Sequence, residues 1–392
     1  MEFTDVTSLF SGPGGYVTVE AIEFDGQPGA LFYYANPDPR KLHAVDTRGM
    51  QELEDAIGAI EARAHDLKFV VFYGAYDPVH AGADITEFAG TPDYPAIRTH
   101  LLRGAALDAR IKALWPKLRT VGVFCGDRYG GSLEWPLFAE WGVADERCTV
   151  QFSEVHLGII PGWNGVLNVL LKSEATNALY MGQTGNTVSA GELQDIGIVQ
   201  RLVETPAPPY RKTVAPADWP ATWQAHAKLC QPLLLEAALD LATQAAAPQR
   251  ETESVLCGLI DLLSEVKRRT DPAPYRELRM SVVDGAAMVA NGMAQGALDE
   301  AQAAEQLKLL GRDATRKLAE MGKPLAPLAV KAVADFVAKW NPLTAAQILE
   351  RYVEAGAEES ELCASLMDTP HRVVGVNAVL SKNVADKVPV FD

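Results

Sequence analysis

Residues 119–162 read RTVGVFCGDRYGGSLEWPLFAEWGVADERCTVQFSEVHLGIIPG, and this stretch decides the fold. Residues 121–124 form a short apolar run with the length and composition of a buried strand. Gly126 and the Gly130-Gly131 pair follow it, and a helix is predicted next. Glycines at a turn from strand to helix allow the backbone to approach a ligand and to point free N–H groups at it. The stretch therefore predicts a ligand site at this turn.

Two glutamates accompany the turn. The helix is predicted from about Leu133, which places Glu134 in its first turn, and Glu154 follows in the segment QFSEVHLG. A backbone donor at Gly131 with two carboxylates nearby suits acid–base chemistry at a polarised carbonyl group.

The composition excludes several classes of protein. The chain has 392 residues, is 48% hydrophobic and 22% charged, and has room for two domains or for one large domain with an insertion. The net charge of −16 and the absence of a Lys/Arg cluster argue against nucleic-acid binding. No apolar run reaches the ~18–20 residues of a membrane helix, so no membrane association is expected. The N-terminus lacks the features of a signal peptide, and the five scattered cysteines have no metal-binding spacing. We predict a reduced, cytoplasmic protein.

Strands and helices alternate along the first half of the chain, which predicts an α/β fold. Asp46 or Thr47 can cap the first long helix. We predict strands at 16–24, 30–35 and 68–73, with a turn at 25–29, and helices at 47–65, 85–88 and 95–116.

The composition changes after Thr205. The segments PAPPY and PADWP mark a boundary, and residues 217–322 are rich in Ala, Leu, Glu and Gln without a convincing strand. Four or five helices are predicted there, with breaks at Ala247-Pro248, Asp271-Pro272 and Gly311. The predicted organisation is a core at 1–206, a helical insertion at 207–322 and a helical C-terminal segment at 323–392.

A series of motifs in order resembles the crotonase (enoyl-CoA hydratase/isomerase) superfamily. They are NPDPRKLHAVD, FVVFYGAYDPVHAGADITEF, CGDRYGGSLEW, QFSEVHLGIIPGWNG and SAGELQDIGIVQRLV, followed near the C-terminus by KPLAPLAVKAVADF and ELCASLMDTPHRVVGVNAVLSKNVADKVPVF. The resemblance implies a crotonase-like ββα spiral core. It also implies that the C-terminal segment serves in subunit packing, within a homotrimer or a dimer of trimers.

The resemblance also implies catalytic roles. The backbone amides of Ala83 and Gly131 would form an oxyanion hole for a thioester oxygen. Glu134 and Glu154 match the two positions that are both glutamate in true hydratases. Glu134 would deprotonate water and Glu154 would deliver the proton to the α-carbon, although the two roles are coupled and could be exchanged. Two carboxylates in one pocket suit this chemistry because their like charges push their pKa values apart.

Substrate contacts follow from the same motifs. Trp135 and Trp163 flank the site and would line an acyl pocket, unless they simply pack in the core. His80 and His156 adjoin the motifs, but each is expected to be structural rather than catalytic. Coenzyme A contacts are expected from Arg40, Lys41, Ala81, Asp84 and Ile85, with Lys382 and Lys387 as further candidate cations or merely as surface charges.

Two departures from the family pattern are notable. The glycine-rich loop carries Asp127-Arg128-Tyr129 where small or apolar residues are usual. This charged pair either reshapes the acyl pocket, forms an ion pair with a neighbouring subunit, or lies on the surface. Residues 207–322 are the second departure, and they could form a lid, a wall that selects the substrate, an oligomerisation element or a packing domain.

The resemblance therefore implies a hydratase that forms an enolate from an unsaturated acyl-CoA, and cyclic or aromatic-derived acyl groups are among its candidate substrates. Cleavage of a C–C bond in a ring and double-bond isomerisation remain alternatives on the same scaffold, as does a non-catalytic structural role. No metal, flavin or nicotinamide is expected, because the ligand spacings and the GxGxxG pattern are missing; coenzyme A enters as part of the substrate.

Overall fold

The computed structural model describes residues 6–87, 94–245 and 254–392, and within these ranges the strands form two sheets. The strands are β1 (Thr7–Ser11), β2 (Val17–Phe24), β3 (Gln27–Tyr34), β4 (Phe69–Gly74), β5 (Val79–His80), β6 (Arg119–Phe124), β7 (Asp127–Tyr129), β8 (Trp141–Asp145), β9 (Thr149–Gln151), β10 (Val188–Ser189) and β11 (Arg201–Val203).

Helices connect and cover these strands. They are α1 (Thr47–Arg63), α2 (Tyr94–Leu114), α3 (Gly131–Leu137), α4 (Gly165–Lys172), α5 (Ala175–Thr184), α6 (Ala190–Asp195), α7 (Trp219–Thr243), α8 (Leu259–Thr270), α9 (Ala273–Ala294), α10 (Glu300–Met321), α11 (Pro327–Trp340), α12 (Ala345–Glu350), α13 (Tyr352–Leu366) and α14 (Pro370–Leu380). Short 3-10 helices lie at Pro39–Lys41, Ile85–Glu87, Ser153–Leu157, Arg211–Thr213 and Val384–Lys387.

The large sheet has the order β1-β2-β3-β4-β6-β8-β11. Its first three strands are antiparallel, and the strands from β3 onward pair in parallel. The small sheet has the order β10-β9-β7-β5 and carries the segments that lead into the glycine turns. The predicted α/β class with a helical C-terminal segment is confirmed.

The two faces of the large sheet are both buried. Along β6, Val121 and Val123 belong to one apolar cluster, whereas Phe124 belongs to the other, as the alternation of side chains along a strand requires. Helix α7 covers the first of these faces with Leu234 and Leu239, among other apolar side chains. The first helix of the predicted insertion is thus part of the core packing, while the domain boundaries themselves stay predictions.

Helices α9 and α10 form a smaller apolar cluster with the C-terminal tail. Tyr275, Leu278 and Leu318 contact Val388 and Val390 there. Within the described residues, no helix combines the length and the apolarity that crossing a bilayer requires.

Several local predictions are confirmed. Asp46, one of the two predicted caps, caps α1 by accepting a hydrogen bond from the Gly49 N–H. The break at Asp271-Pro272 separates α8 from α9. The residues Ala247 and Pro248, and the predicted helix end at Phe88, lie outside the described residues.

Other local predictions are wrong. The loop between β2 and β3 has only two residues, because Asp25 and Gly26 both adopt positive φ values of 51° and 69° and reverse the chain at once. Residues 27 and 28 therefore belong to β3 rather than to a turn. Gly311 lies inside α10 and does not break it, and β1 was not predicted.

Candidate active site

Two turns that follow the paired strands β5 and β7 meet at this site. A Cβ atom added to Gly82 would lie 2.5 Å from the Gly131 nitrogen and 2.9 Å from the Tyr129 carbonyl oxygen. One added to Gly131 would lie 3.4 Å from the Ala83 nitrogen. Gly130 has a φ of 56°, in the region that favours glycine. The glycines therefore permit the backbone amides of Ala83 and Gly131 to come close together.

These two amides are available to a ligand. In the described part of the chain, neither the Ala83 N–H nor the Gly131 N–H donates a hydrogen bond to another residue. The neighbouring amides are engaged, since Ala81 donates to the Leu42 carbonyl and Asp84 donates to the Val45 carbonyl. Both loops are thus fixed while the two predicted oxyanion-hole donors stay free.

Glu134 lies in the first turn of α3 and is 2% exposed. Its Oε1 accepts hydrogen bonds from the Trp163 N–H at 2.8 Å and from the Gly165 N–H at 2.9 Å. These bonds fix the carboxyl group and favour its charged form. Burial favours the neutral form and is the largest effect, and the charges of Glu154 and Glu359 act in the same direction. The pKa of Glu134 therefore lies well above its usual range.

Glu154 begins the first turn of the 3-10 helix Ser153–Leu157 and is 8% exposed. Burial raises its pKa to about 7. Its Oε2 has no hydrogen-bond partner among the described residues. Since both glutamates have raised pKa values, the pair can hold a proton near neutral pH and exchange it with a ligand.

Both glutamates line one cavity of about 470 Å³, and Ala83, Gly131 and Trp163 line it as well. The structure therefore brings together the residues to which the sequence assigned chemistry. A cavity of this size, largely apolar and with a few polar groups, suits a small-molecule ligand.

Four of the five residues predicted to contact coenzyme A line this cavity. Arg40, Lys41, Ala81 and Asp84 line the same cavity. Arg40 is highly exposed and pairs with Asp38, and Lys41 forms a hydrogen-bonded ion pair with Asp84. The backbone of Ile85 belongs to the 3-10 helix Ile85–Glu87, and its side chain lies outside what the structure describes.

The other candidate cations lie elsewhere. Lys382 and Lys387 line a separate groove of about 650 Å³ against α10 rather than the cavity that holds the glutamates. Within this chain, the structure therefore does not bring them to the candidate site.

The two tryptophans predicted to line the acyl pocket differ in their position relative to the cavity. Trp163 lines the cavity and also donates its backbone N–H to Glu134. Trp135 does not line it; its ring packs against Phe32, Phe72 and Phe138 in the core. The expectation that Trp135 lines the acyl pocket is corrected in favour of its alternative, core packing, because successive residues of helix α3 point in different directions.

Of the two candidate histidines, His80 is buried and His156 is half-buried. His156 lies within hydrogen-bond distance of the Pro324 and Gly185 carbonyl oxygens, and burial lowers its pKa to about 4. His80 is 3% exposed, and its pKa is lowered well below the usual range by burial and by the charges of Arg128 and His43. No group of three or more His, Cys, Asp or Glu side chains in the described ranges could hold a metal ion.

The sequence analysis missed three kinds of residue. Lys323, Cys363 and Met367 line the cavity although they come from the C-terminal segment, of which only Lys382 and Lys387 were considered as possible substrate contacts. Glu359 is fully buried, and its two oxygens accept hydrogen bonds from Val166 and Leu167 at the start of α4. The only available signal was the resemblance of this segment to the family, since distant residues leave no local pattern.

Arg128 is the third case. It is 4% exposed, so the interpretation of Asp127-Arg128-Tyr129 as a surface pair is wrong for this residue. Asn164, which stands where the family has glycine, keeps a glycine-like φ of 69° and donates to Asp108 at 3.0 Å. Asparagine tolerates this left-handed conformation better than most residues.

Part of this chain is similar in sequence to known proteins. Residues 35–218 match the family model "Enoyl-CoA hydratase/isomerase". A curated relative, the fatty acid oxidation complex subunit alpha of Idiomarina loihiensis, is 28% identical over 164 residues, which are 42% of this chain and 22% of that protein. The chain thus spans less than a quarter of the length of this relative.

Two solved structures share the fold. An enoyl-CoA hydratase from Rhodobacter sphaeroides gives a TM-score of 0.53 at 16% identity, over 96% of this chain and 89% of that one. A carnitinyl-CoA dehydratase from Mycobacterium thermoresistibile gives a TM-score of 0.53 at 18% identity, over 96% and 90% of the two chains.

Residues 35–218, just under half of this chain, are thus similar to the enoyl-CoA hydratase/isomerase family, and the fold is the one that these two solved structures share.

Proposed function

We propose that this protein adds water to the double bond of an unsaturated acyl-CoA through an enolate intermediate. The observation that carries the proposal is one cavity lined by two buried glutamates with raised pKa values and by two residues with free backbone amides. The thioester oxygen would accept hydrogen bonds from the Ala83 and Gly131 N–H groups. Negative charge accumulates on this oxygen as the enolate forms, and each preorganised donor is worth about 3 kcal/mol there.

The two glutamates would supply the proton transfers. Addition requires a base that removes a proton from water and an acid that delivers one to the α-carbon. Glu134, held by two backbone N–H groups, would orient and deprotonate the water, while Glu154, with its unpaired Oε2, would exchange the α-proton. Since the two carboxyls titrate together, the pair is the catalytic unit rather than either residue alone.

Coenzyme A would lie along Arg40, Lys41, Ala81 and Asp84. The exposed Arg40 side chain and Lys41 provide positive charge in a chain of net charge −16. In this proposal coenzyme A is part of the substrate and no separate cofactor takes part. Superfamily members are typically oligomers, and we propose a homotrimer or a dimer of trimers, which sedimentation equilibrium would test.

A panel of acyl-CoA thioesters followed by mass spectrometry tests the proposal. The panel holds crotonyl-CoA, a cyclic dienoyl-CoA, a β-oxo cyclic acyl-CoA and a hydroxycinnamoyl-CoA. We expect at least one product to gain the mass of one water in the wild type, and this gain to disappear in the variant Glu134→Gln.

The position of the new oxygen separates the competing reactions. A β-hydroxyacyl product supports hydration, whereas a ring-opened acid would replace hydration by C–C bond hydrolysis. A shifted double bond without a mass change would indicate an isomerase. No turnover and no binding of coenzyme A would contradict the proposal.

A further inference from the structure

A second, much smaller cavity of about 30 Å³ lies beside the candidate active site. Gly131 and Trp163 line both cavities. The small cavity is also lined by Arg128, His43 and Trp135, and the proposed hydration reaction uses none of these three. Its volume corresponds to about one or two water molecules.

Arg128 brings an uncompensated charge to this cavity. One Nη atom donates to the Ser132 carbonyl oxygen at 2.9 Å, and the other lies 3.6 Å from the Cys125 sulfur. Its Nε has no hydrogen-bond partner, and Arg128 forms no ion pair, within the described ranges. A guanidinium group remains charged at all physiological pH values, and burying a charge without a partner is costly.

The neighbouring side chains do not neutralise this charge. Burial raises the pKa of Cys125, so its thiol is uncharged at neutral pH. The carboxylate of Asp77 lies 2.5 Å from Nε2 of His43, and the carboxylate of Asp127 accepts from the Thr149 hydroxyl. These two carboxylates are thus engaged by other partners.

Three further nitrogen atoms of residues that line the cavity lack partners. Within the described residues, Nε1 of Trp135, Nε1 of Trp163 and Nδ1 of His43 make no hydrogen bond. The indole N–H is always a donor. Nε2 of His43 lies 2.5 Å from the Asp77 carboxylate, and the tautomer that donates from Nε2 leaves Nδ1 as an acceptor. A negatively charged occupant would match this set of groups better than a cation would.

We propose that the small cavity is a binding site for a small monovalent anionic group, with Arg128 as its charge partner. The group is either a free ion of the size of chloride or formate, or the carboxylate of an acyl group that enters from the adjoining site. The second source rests on the proposed acyl-CoA function; the first does not.

Thermal unfolding tests the free-ion source without requiring activity. The melting temperature is measured in chloride, bromide, formate and gluconate salts at the same ionic strength. Gluconate is the reference because it is too large for the cavity. We expect the small anions to raise the melting temperature of the wild type by a few degrees relative to gluconate. Arg128→Met should lose this difference, while Arg312→Met, at an exposed position, should keep it.

Folding of the variants is checked by far-UV circular dichroism. If Arg128→Met does not fold, Arg128→Lys is used instead. We expect the anions to raise its melting temperature less than that of the wild type, because lysine keeps the positive charge but lacks the planar guanidinium group with its several N–H donors. A bromide soak of wild-type crystals, read by anomalous scattering, should place one bromide beside Arg128. A water molecule in that position would contradict a free-ion site.

Matched substrates test the acyl source. The kcat/KM for crotonyl-CoA is compared with that for the same chain carrying a terminal carboxylate. A preference for the carboxylated substrate of tenfold or more (about 1.4 kcal/mol) that disappears in Arg128→Met would assign the site to the substrate. If neither the anion effect nor the preference depends on Arg128, the proposal is wrong.

Discussion

At the scale of single residues, burial sets the chemistry of the glutamate pair. Glu134 accepts two backbone hydrogen bonds that favour its charged form, yet its pKa is still raised because burial and the charge of Glu154 outweigh them. Glu154 has an unpaired oxygen, and burial raises its pKa to about 7. The same two side chains on the surface would both be ionised at neutral pH and could not hold a proton.

This raised pKa predicts a specific dependence of stability on pH. Between about pH 4.5 and pH 7 the folded protein retains a proton on Glu154 that the unfolded chain has lost. This contribution to the free energy of unfolding is complete below pH 4.5 and is lost as the pH rises, by about 3 kcal/mol in total.

The variant Glu154→Gln should remove that dependence. Measured by urea unfolding, the free energy of unfolding of the variant should fall less between pH 4.5 and pH 7 than that of the wild type. The variant should therefore gain stability relative to the wild type near pH 7. Glu361→Gln, at a partly exposed ion pair on α13, is the control. An unchanged slope for Glu154→Gln would show that its carboxyl group titrates normally.

Sequence motifs identified the residues that line the site but not how deeply each side chain is buried. Glu134, Glu154, Ala83 and Gly131 were identified from motifs, because each belongs to a local pattern of glycines and acids. Trp135 and Arg128 were misjudged because their environment depends on strands that are distant along the chain. Depth of burial is a tertiary property that spacing alone does not encode.

At the scale of elements, the site depends on two turns that approach each other without side chains. The loop after β5 carries Gly82 and Ala83, and the turn after β7 carries Gly130 and Gly131. Because β5 and β7 lie side by side and parallel in the small sheet, their ends bring the two turns together.

Gly82→Ala should therefore separate the two amides. Its Cβ would lie 2.5 Å from the Gly131 nitrogen, and only a shift of the backbone can relieve this contact. We expect kcat to fall by about 100-fold, as for the loss of one oxyanion-hole donor. Gly191→Ala is the matched control, because its Cβ would meet nothing closer than the Ser189 hydroxyl at 4.0 Å. Equal activity of the two variants would contradict the assigned oxyanion hole.

Glu359 connects α13 to the start of α4. Each of its oxygens accepts one N–H from Val166 or Leu167, and an amide group can accept only one of them. Burial raises the pKa of Glu359 to about 8, so the comparison is made with urea at about pH 9, where Glu359→Gln should lower the free energy of unfolding by about 1–3 kcal/mol. Glu361→Gln on the same helix should change it by less than about 1 kcal/mol.

At the scale of the whole molecule, α7 unites the predicted insertion with the core. Leu234, Leu239 and other side chains of α7 cover the sheet face that carries Val71, Val121 and Val143. The boundary motifs PAPPY and PADWP marked a change in composition, but composition does not reveal which face a helix covers.

Truncating a buried side chain of α7 tests whether this helix is part of the core. Leu234→Ala should lower the free energy of unfolding of the protein by about 2–5 kcal/mol, because the leucine is 1% exposed against the sheet. Leu263→Ala on α8 should have little effect, because that leucine is 57% exposed. If Leu234→Ala changed the free energy of unfolding as little as Leu263→Ala does, α7 would not be part of the core.

The most direct measurement of the central claim is kcat for Glu134→Gln, Glu154→Gln and the double variant on the best acyl-CoA substrate. If the glutamates act as one acid–base unit, each single variant should lose at least about 100-fold in kcat, with the dissociation constant of the substrate nearly unchanged. The double variant should then be little worse than the poorer single one. A single variant that keeps its activity within a few-fold, or losses that multiply in the double variant, would contradict the account.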